Sequence, residues 1–294
     1  IRELLNGIQM DFWNNVKIIF YLKGKKLNHQ SKISQILNKI FFFFIILLPQ
    51  VSLSNECGSK IDKEKNAIFI AKYDLKKSNI TFGTNVNILR RIKSDIFQTP
   101  KYSFQIFACT SGIFKLKKDD RKETSLFYIL EEKMISDSYR FNRTLKDYIE
   151  KIDTNFKLNS KKRDCYHLSK TLKDQEKKEI EHKDSNCSAL DRLSVQIDYQ
   201  NKLKSGKYDV EYLVIDKGRE RNYIFKLVES ETIDTIFGQT ETVVIKRIIQ
   251  GNKRSTLTWY AINHDFVPVK IEQYRKTTLK FTAYLTNYLN NFSD

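Results

Sequence analysis

From Lys207 onward, apolar side chains return at every second position. In "KYDVEYLVID" (207–216), Tyr208, Val210, Tyr212 and Val214 share one face while Asp209 and Glu211 take the other. The same alternation runs through "NYIFKLV" (222–228), "ETVVIKRII" (241–249), "STLTWYAI" (255–262), "VKIEQYR" (269–275) and "TLKFTAYLTNYL" (278–289). Short connections rich in Gly, Asn, Asp and Lys separate these runs, among them "KGR" and "QGNKR". Period two with such breaks predicts an antiparallel meander with one face buried.

The first half repeats the pattern less regularly. Strands are expected at "AIFIAKYDLK" (67–76), "TNVNILRRI" (84–92), "KYSFQIFACTS" (101–111) and "TSLFYIL" (124–130), with weaker ones at "SYRFNR" (138–143) and "DYIEKIDTNFKL" (147–158). The charged run 160–186 reads as an exposed hairpin or mobile loop. One segment changes period: in "SALDRLSVQIDYQNKLKSG" (188–206), Leu190, Leu193 and Ile197 stand at helical spacing. Ser188 followed by Asp191 resembles a capping box, and Gly206 stands where a helix would stop. A helix of roughly four turns is therefore expected between two sheet-forming halves. The fold class is mainly β: a curved antiparallel sheet of meander strands with one mid-chain helix packed on it.

The N-terminal region has the order of an export signal. Lys32 and Lys39 precede nine unbroken apolar residues, Ile40 to Leu48, then Pro49 and the small residues Ser52 and Ser54. Nine helical residues rise only ~14 Å, against a hydrocarbon core of about 30 Å. Residues 31–54 are thus read as a cleaved signal peptide and 1–30 as a non-native or over-extended segment. The rival is an inner-membrane anchor over 33–53. The expected location is the periplasm, with no transmembrane span in the mature chain and a β-rich domain over 65–290.

Charge and cysteine add two constraints. The chain carries 52 Lys and Arg against 35 Asp and Glu, a net charge of +17. Such an excess invites polyanion partners. Yet the chain is also rich in Ile, Asn, Phe and Tyr, which share AT-rich codons with Lys, so a genome-wide bias suffices to explain it. Export and the lack of an aromatic-and-basic platform argue against nucleic acid. Cys57, Cys109, Cys165 and Cys187 follow the leader; an even number in an exported chain permits two disulfides in any of three connectivities. Cys165 with Cys187 and Cys57 with Cys109 is the favoured pairing, because the first pair brackets a single polar excursion. No CxxC occurs, and no metal or cofactor site is expected.

Several residues then carry a resemblance. Asp191-Arg192-Leu193-Ser194, Glu231 ahead of Phe237-Gly238, and Arg254, Thr256 and Trp259 leading to Pro268-Val269 resemble, in that order, the exported bacterial family of unknown function DUF3108. Gly112, Glu123 and Ser125 match an upstream passage of the same family. Ser138-Tyr139 and Phe156-Lys157-Leu158 depart from its usual pattern. The resemblance implies an exported, β-rich, half-barrel-like domain and no particular activity; the likeness to lipoprotein-carrying half-barrels is one of fold only.

Candidate chemistry is sparse. His264 and Asp265 are adjacent on a strand-ending turn, so their side chains point apart and read as a polar turn. Asp191 and Ser194 lack the Gly-x-Ser-x-Gly elbow of a nucleophile; Ser194 is expected to tighten helix packing and Asp191 to sit in the first helical turn. Glu123 and Glu231 read as buried carboxylates paired with Arg254 or Lys246. Trp259 and Tyr260 lie on opposite faces of one strand, so only one is expected in a core. No catalytic residue emerges. The sequence points to a non-catalytic binding or carrier protein for a lipid, glycan or polymer; an envelope scaffold binding another protein and an undetected hydrolase are the alternatives. A lipid carrier should show an interior with few charges.

Overall fold

The computed structural model describes residues 66–92, 100–117, 119–145, 148–159, 164–173, 176–184 and 188–291. The leader expected at 31–54 and the segment 1–30 lie outside them. Alternating sequences with little Gly or Pro to interrupt them form long strands: β1 (Ala67–Lys77), β2 (Ile80–Ile92), β3 (Lys101–Thr110), β4 (Asp119–Leu130), β5 (Lys133–Leu145), β6 (Tyr148–Asn159), β7 (Asp164–Lys173) and β8 (Glu176–Asp184). A short 3-10 helix, Gly112–Lys117, joins β3 to β4. After β9 (Leu190–Asp191) comes the helix α1 (Ser194–Lys204), followed by β10 (Val210–Ile215), β11 (Glu220–Thr235), β12 (Gly238–Ile249), β13 (Arg254–Ala261), β14 (Val267–Arg275) and β15 (Thr278–Asn290).

All fifteen strands join one open sheet in the order 8-7-6-5-4-3-2-1-15-14-13-12-11-10-9. Every pairing is antiparallel except that of β9 with β10. The chain ends meet in the middle, where β1 pairs with β15. Register shifts in the β1–β15, β4–β5, β11–β12, β13–β14 and β14–β15 pairs bend the strands, as an extra residue on one strand must. The sheet consequently curls, and its two ends approach one another: β9 and α1 touch β4 and β5. Gly218, in the β10–β11 turn, lies so close to β7 that an added Cβ would sit 3.3 Å from Ser169 Cβ.

The helix fills the inside of the curl. Leu193, Val195, Ile197, Tyr199 and Leu203 pack with Phe104, Phe127, Tyr139, Phe141 and Ile152 from one half of the sheet and with Phe225, Val243, Ile245 and Tyr260 from the other. Tyr199 stacks on Phe225 at 4.0 Å. The helix is shorter than expected: it has 11 residues, about three turns, and its N-cap is Leu193 with no side-chain cap bond. Ser188 does not cap it, and Asp191 belongs to β9 rather than to the first turn.

A second cluster gathers Tyr73, Val244, Trp259, Ala261, Val267, Val269, Ala283 and Leu285. Val244 belongs to it, while its neighbours Val243 and Ile245 belong to the helix cluster. The expectation of one buried face therefore fails at β12–β13, where both faces are covered; Trp259 and Tyr260 are 5% and 6% exposed. Within the charged run 160–186, residues 164–173 and 176–184 pair as β7 and β8 at the sheet edge. In a meander, alternate connections fall on one rim. Register places the turns at 78–79, 216–219, 250–253 and 276–277 on the same rim as the 3-10 helix.

Candidate functional site

The family-motif residues separate into three places. Around Asp191, which is fully buried, the carboxylate ties β9, at one edge of the sheet, to β4 and β5. Its Oδ1 accepts the backbone N–H groups of Leu193 (2.8 Å) and Ser194 (3.0 Å). Its Oδ2 accepts the hydroxyls of Ser125 (2.7 Å) on β4 and Ser136 (3.0 Å) on β5. Ser194 Oγ lies 2.7 Å from Ser136 Oγ. Burial pushes the Asp191 carboxyl above its usual range, against the pull of these donors. Every partner is a neutral donor, and together they hold β9 and α1 onto the facing strands.

Trp259 marks the second place. Its indole N–H donates to Glu231, and Lys270 Nζ stands 3.8 Å from the ring centroid. The ammonium over the π face and the carboxylate at its edge orient the indole. Glu231 thus pairs with Trp259, not with Arg254 or Lys246. Gly238, at φ +84° beside the β11–β12 turn, adopts backbone that favours glycine. The Pro268 carbonyl accepts the Tyr73 hydroxyl at 3.0 Å. His264 stacks on Phe237 at 3.9 Å, whereas Asp265 binds Lys204 at 3.0 Å. These two point apart, as the turn reading expects.

The third place is a cavity of about 160 Å³ on the rim that carries the 216–219 and 250–253 turns. Five cations line it, Arg121, Arg192, Lys217, Arg247 and Arg254, against the two carboxylates Glu123 and Asp216. Glu123, 8% exposed, accepts the Tyr139 hydroxyl at 2.8 Å and pairs with Arg192 at 3.2 Å. Arg192 also faces Asp216 at 3.7 Å. Burial opposes the Arg192 charge, but Glu123, Tyr139 and Asp216 outweigh it and hold the guanidinium protonated well above its ordinary range. Asp119 engages both Arg121 and Arg143, with contacts of 2.6–3.0 Å.

Lys217, Arg247 and Arg254 are left less fully answered. Burial, reinforced by the Arg192 charge, lowers the Lys217 ammonium below its usual range; its ring partner is Phe141, 3.7 Å away. Arg247 donates to Thr256 at 3.0 Å, while its buried Nε has no hydrogen-bond partner among the described residues. A guanidinium with an open donor beside an excess of positive charge is suited to receive an anion.

Of these residues Glu123, Arg254 and Thr256 stood out in the sequence, and Arg192 only as a filler of the Asp191 motif; Arg121, Asp216, Lys217 and Arg247 did not. One signal was present. Arg247 continues the period-two face of Val243, Ile245 and Ile249, so a charge stands where the pattern demands an apolar residue. Among the described residues no group of three or more His, Cys, Asp and Glu side chains could hold a metal. Cys109 is disulfide-bonded; Cys57, Cys187 and the side chain of Cys165 lie outside the described residues, and with them the expected pairing.

Comparison with known proteins gives a family without an activity. No curated protein matches the chain. Among solved structures it is similar to a β-barrel-like protein of the domain of unknown function DUF1849 from Brucella abortus, at 10% identity and TM-score 0.48 over 78% of this chain and 99% of that one. It is also similar to a Bacteroides fragilis protein with a YmcC-like fold, at 9% identity and TM-score 0.35 over 76% of this chain and 95% of that one. The family model described as "Protein of unknown function (DUF3108)" matches residues 72–285, a span that contains the Asp191, Glu231, Arg254 and Trp259 motifs in order, and the chain belongs to that family.

Proposed function

We propose that this chain is a non-catalytic binding protein of the cell envelope, and that it holds an anionic group of a polar ligand in the rim cavity. The observation that carries the reading is the Arg247 donor left open among Lys217, Arg192 and Arg254. Of the lipid, glycan or polymer ligands the sequence suggested, the cavity favours a charged group over an apolar chain. A lipid carrier needs an apolar hollow of several hundred cubic ångströms, whereas helix side chains fill the interior here, the rim cavity is charged, and a more open hollow of about 370 Å³ is bordered by Glu131, Glu132, Lys133, Asp198 and Lys202. The rim cavity has room for a phosphoryl or carboxylate headgroup, on a lipid or a glycan, and not for an acyl chain. The cavity's two carboxylates are engaged, Glu123 by Tyr139 and Arg192 and Asp216 by Arg192, which supports binding over proton transfer. Export rests on the order of residues 31–54, with the periplasm as destination and a membrane-anchored form over 33–53 as the alternative; among the described residues no helix is long and apolar enough to cross a membrane.

Calorimetric titration tests the reading with glucose 6-phosphate and galacturonate as charged probes and glucose as the neutral one. The charged sugars should bind and glucose should not. Arg247→Gln should weaken binding about tenfold or more, the worth of one charge-assisted hydrogen bond. Equal binding of glucose, or no heat with any probe, would sink the idea.

A second reading, docking of another envelope protein, is favoured by one strand edge. Pairing of β10 with β11 ends at Phe225. The rest of β11 pairs on one side only, with Leu227 and Val228 exposed by 42% and 51%. Such an edge can accept an added strand.

A further inference from the structure

The rim that carries the cavity also carries a contiguous apolar patch. Leu116 in the 3-10 helix is 84% exposed, Ile80 after the β1–β2 turn 52%, Leu279 after the β14–β15 turn 43% and Phe114 36%. Phe82 binds the three segments together: its ring meets Phe114 edge-on at 6.3 Å and Phe281 edge-on at 6.1 Å. Its carbonyl accepts the N–H of Ser111 at 2.9 Å, which fastens the 3-10 helix to β2. Side chains this large and this exposed are costly to leave in water when they cluster.

The segments that carry the patch hold charge of one sign; Asp119 and Asp120, beyond the 3-10 helix, open β4, where Asp119 is bound by Arg121 and Arg143. The segments 76–82, 112–117 and 275–281 contain seven Lys or Arg and no Asp or Glu. Lys77, Arg275, Lys276 and Lys280 are exposed, and Lys115 is half-buried beside Leu116. Apolar tips ringed by cations match the boundary between acyl chains and anionic headgroups, where the tips enter the interface and the ammonium groups stay with the phosphates. A water-facing protein partner would have to supply both an apolar hollow and a carboxylate ring. A bilayer supplies both by its construction.

We propose that this rim docks on an anionic lipid bilayer, with Ile80, Phe114, Leu116 and Leu279 entering the interface and Lys77, Arg275, Lys276 and Lys280 facing headgroups. The proposal rests on the patch and not on the ligand of the cavity. If both hold, docking turns the cavity mouth toward the membrane surface. Each cation that reaches an anionic surface raises partitioning roughly fivefold, so the effect should be steeply dependent on salt.

The test is co-sedimentation of the full chain with vesicles of phosphatidylglycerol and phosphatidylcholine mixed, compared with phosphatidylcholine alone, together with hydrogen exchange of the vesicle-bound protein. Binding is expected only to the anionic vesicles, with new protection at 78–82, 112–117 and 276–281. The Ile80→Ser/Leu116→Ser double variant, altered only at exposed positions, should bind at least about tenfold more weakly, the partitioning two buried aliphatic side chains supply. Arg247→Gln should bind vesicles as the parent does, which separates this proposal from the cavity reading. Protection confined to residues 31–54, or equal binding by the double variant, would overturn it. So would a self-associated chain that the double variant dissociates with no change on vesicles, which would assign the patch to a second copy.

Discussion

Removing the Asp191 carboxylate would strand two backbone N–H groups and the hydroxyls of Ser125 and Ser136 where water does not reach. Unpaired buried groups cost about 1–3 kcal/mol each, and the losses overlap, so Asp191→Ala should destabilise the chain by about 3–5 kcal/mol. Asparagine is the informative comparison. Its carbonyl oxygen can keep both amides, and its NH₂ can donate to the serine hydroxyls, so Asp191→Asn should cost only about 1 kcal/mol near neutral pH. The pH dependence has a definite sign. Burial raises the folded carboxyl above its unfolded value of 3.8. The associated stability is fully present below that value and lost as pH rises through the folded one. The parent's advantage over Asp191→Asn should therefore shrink as pH rises from about 4 toward neutrality. Urea midpoints of both proteins across that window check it, and a gap that widens with pH would reverse the assignment.

At the scale of elements, the β7–β8 hairpin is the weakest part of the sheet. Strand β8 pairs only with β7, its sequence "EKKEIEHKD" has a single apolar residue, Ile180, and the described side chains of Glu176–Glu179 are exposed. Charged edges discourage pairing with other chains, but they add little apolar burial to hold the strand down. Trypsin should cut first at Lys177 or Lys178, and mass spectrometry of the earliest fragments reads this directly. A first cut between β10 and β15 would contradict it. Much of this architecture was visible in the sequence, because period two is a local property: residues 67–76 and 241–249 read as strands and are strands. The helix was misjudged for the opposite reason. Ser188 and Asp191 resembled a capping box, yet the bonds that fix Asp191 reach Ser125, 66 residues away, and local spacing carries no trace of them. The burial of both Trp259 and Tyr260 was hidden in the same way, since covering both faces of β13 depends on how the whole sheet curls. The cavity was partly legible through Arg247; its other members come together only when the 216–219 turn meets β5 and β7.

For the whole molecule, the decisive contacts run between the two halves of the chain. The helix core draws on strands β2–β6 and on β10–β13 alike. Asp191 spans to β4 and β5, Arg192 to Glu123, and Lys217 to Phe141. Neither half can bury its apolar face without the helix, and the helix lies between both. A fold joined in this way should unfold as one unit, since losing either half exposes the surface that stabilised the other. The experiment follows from the placement of tryptophan. The chain has two, and in a Trp13→Phe background the remaining Trp259 reports on the β12–β13 cluster alone. Its fluorescence and the far-ultraviolet dichroism of the entire sheet should then give superimposable denaturant curves with one midpoint. Asp191→Ala, which cuts the tie from β9 to β4 and β5, should lower both midpoints together, although Trp259 belongs to the other cluster. A fluorescence transition that stays at the parental denaturant concentration while the dichroism shifts would show that β11–β15 fold without the first half, and that the curl is two sheets laid side by side.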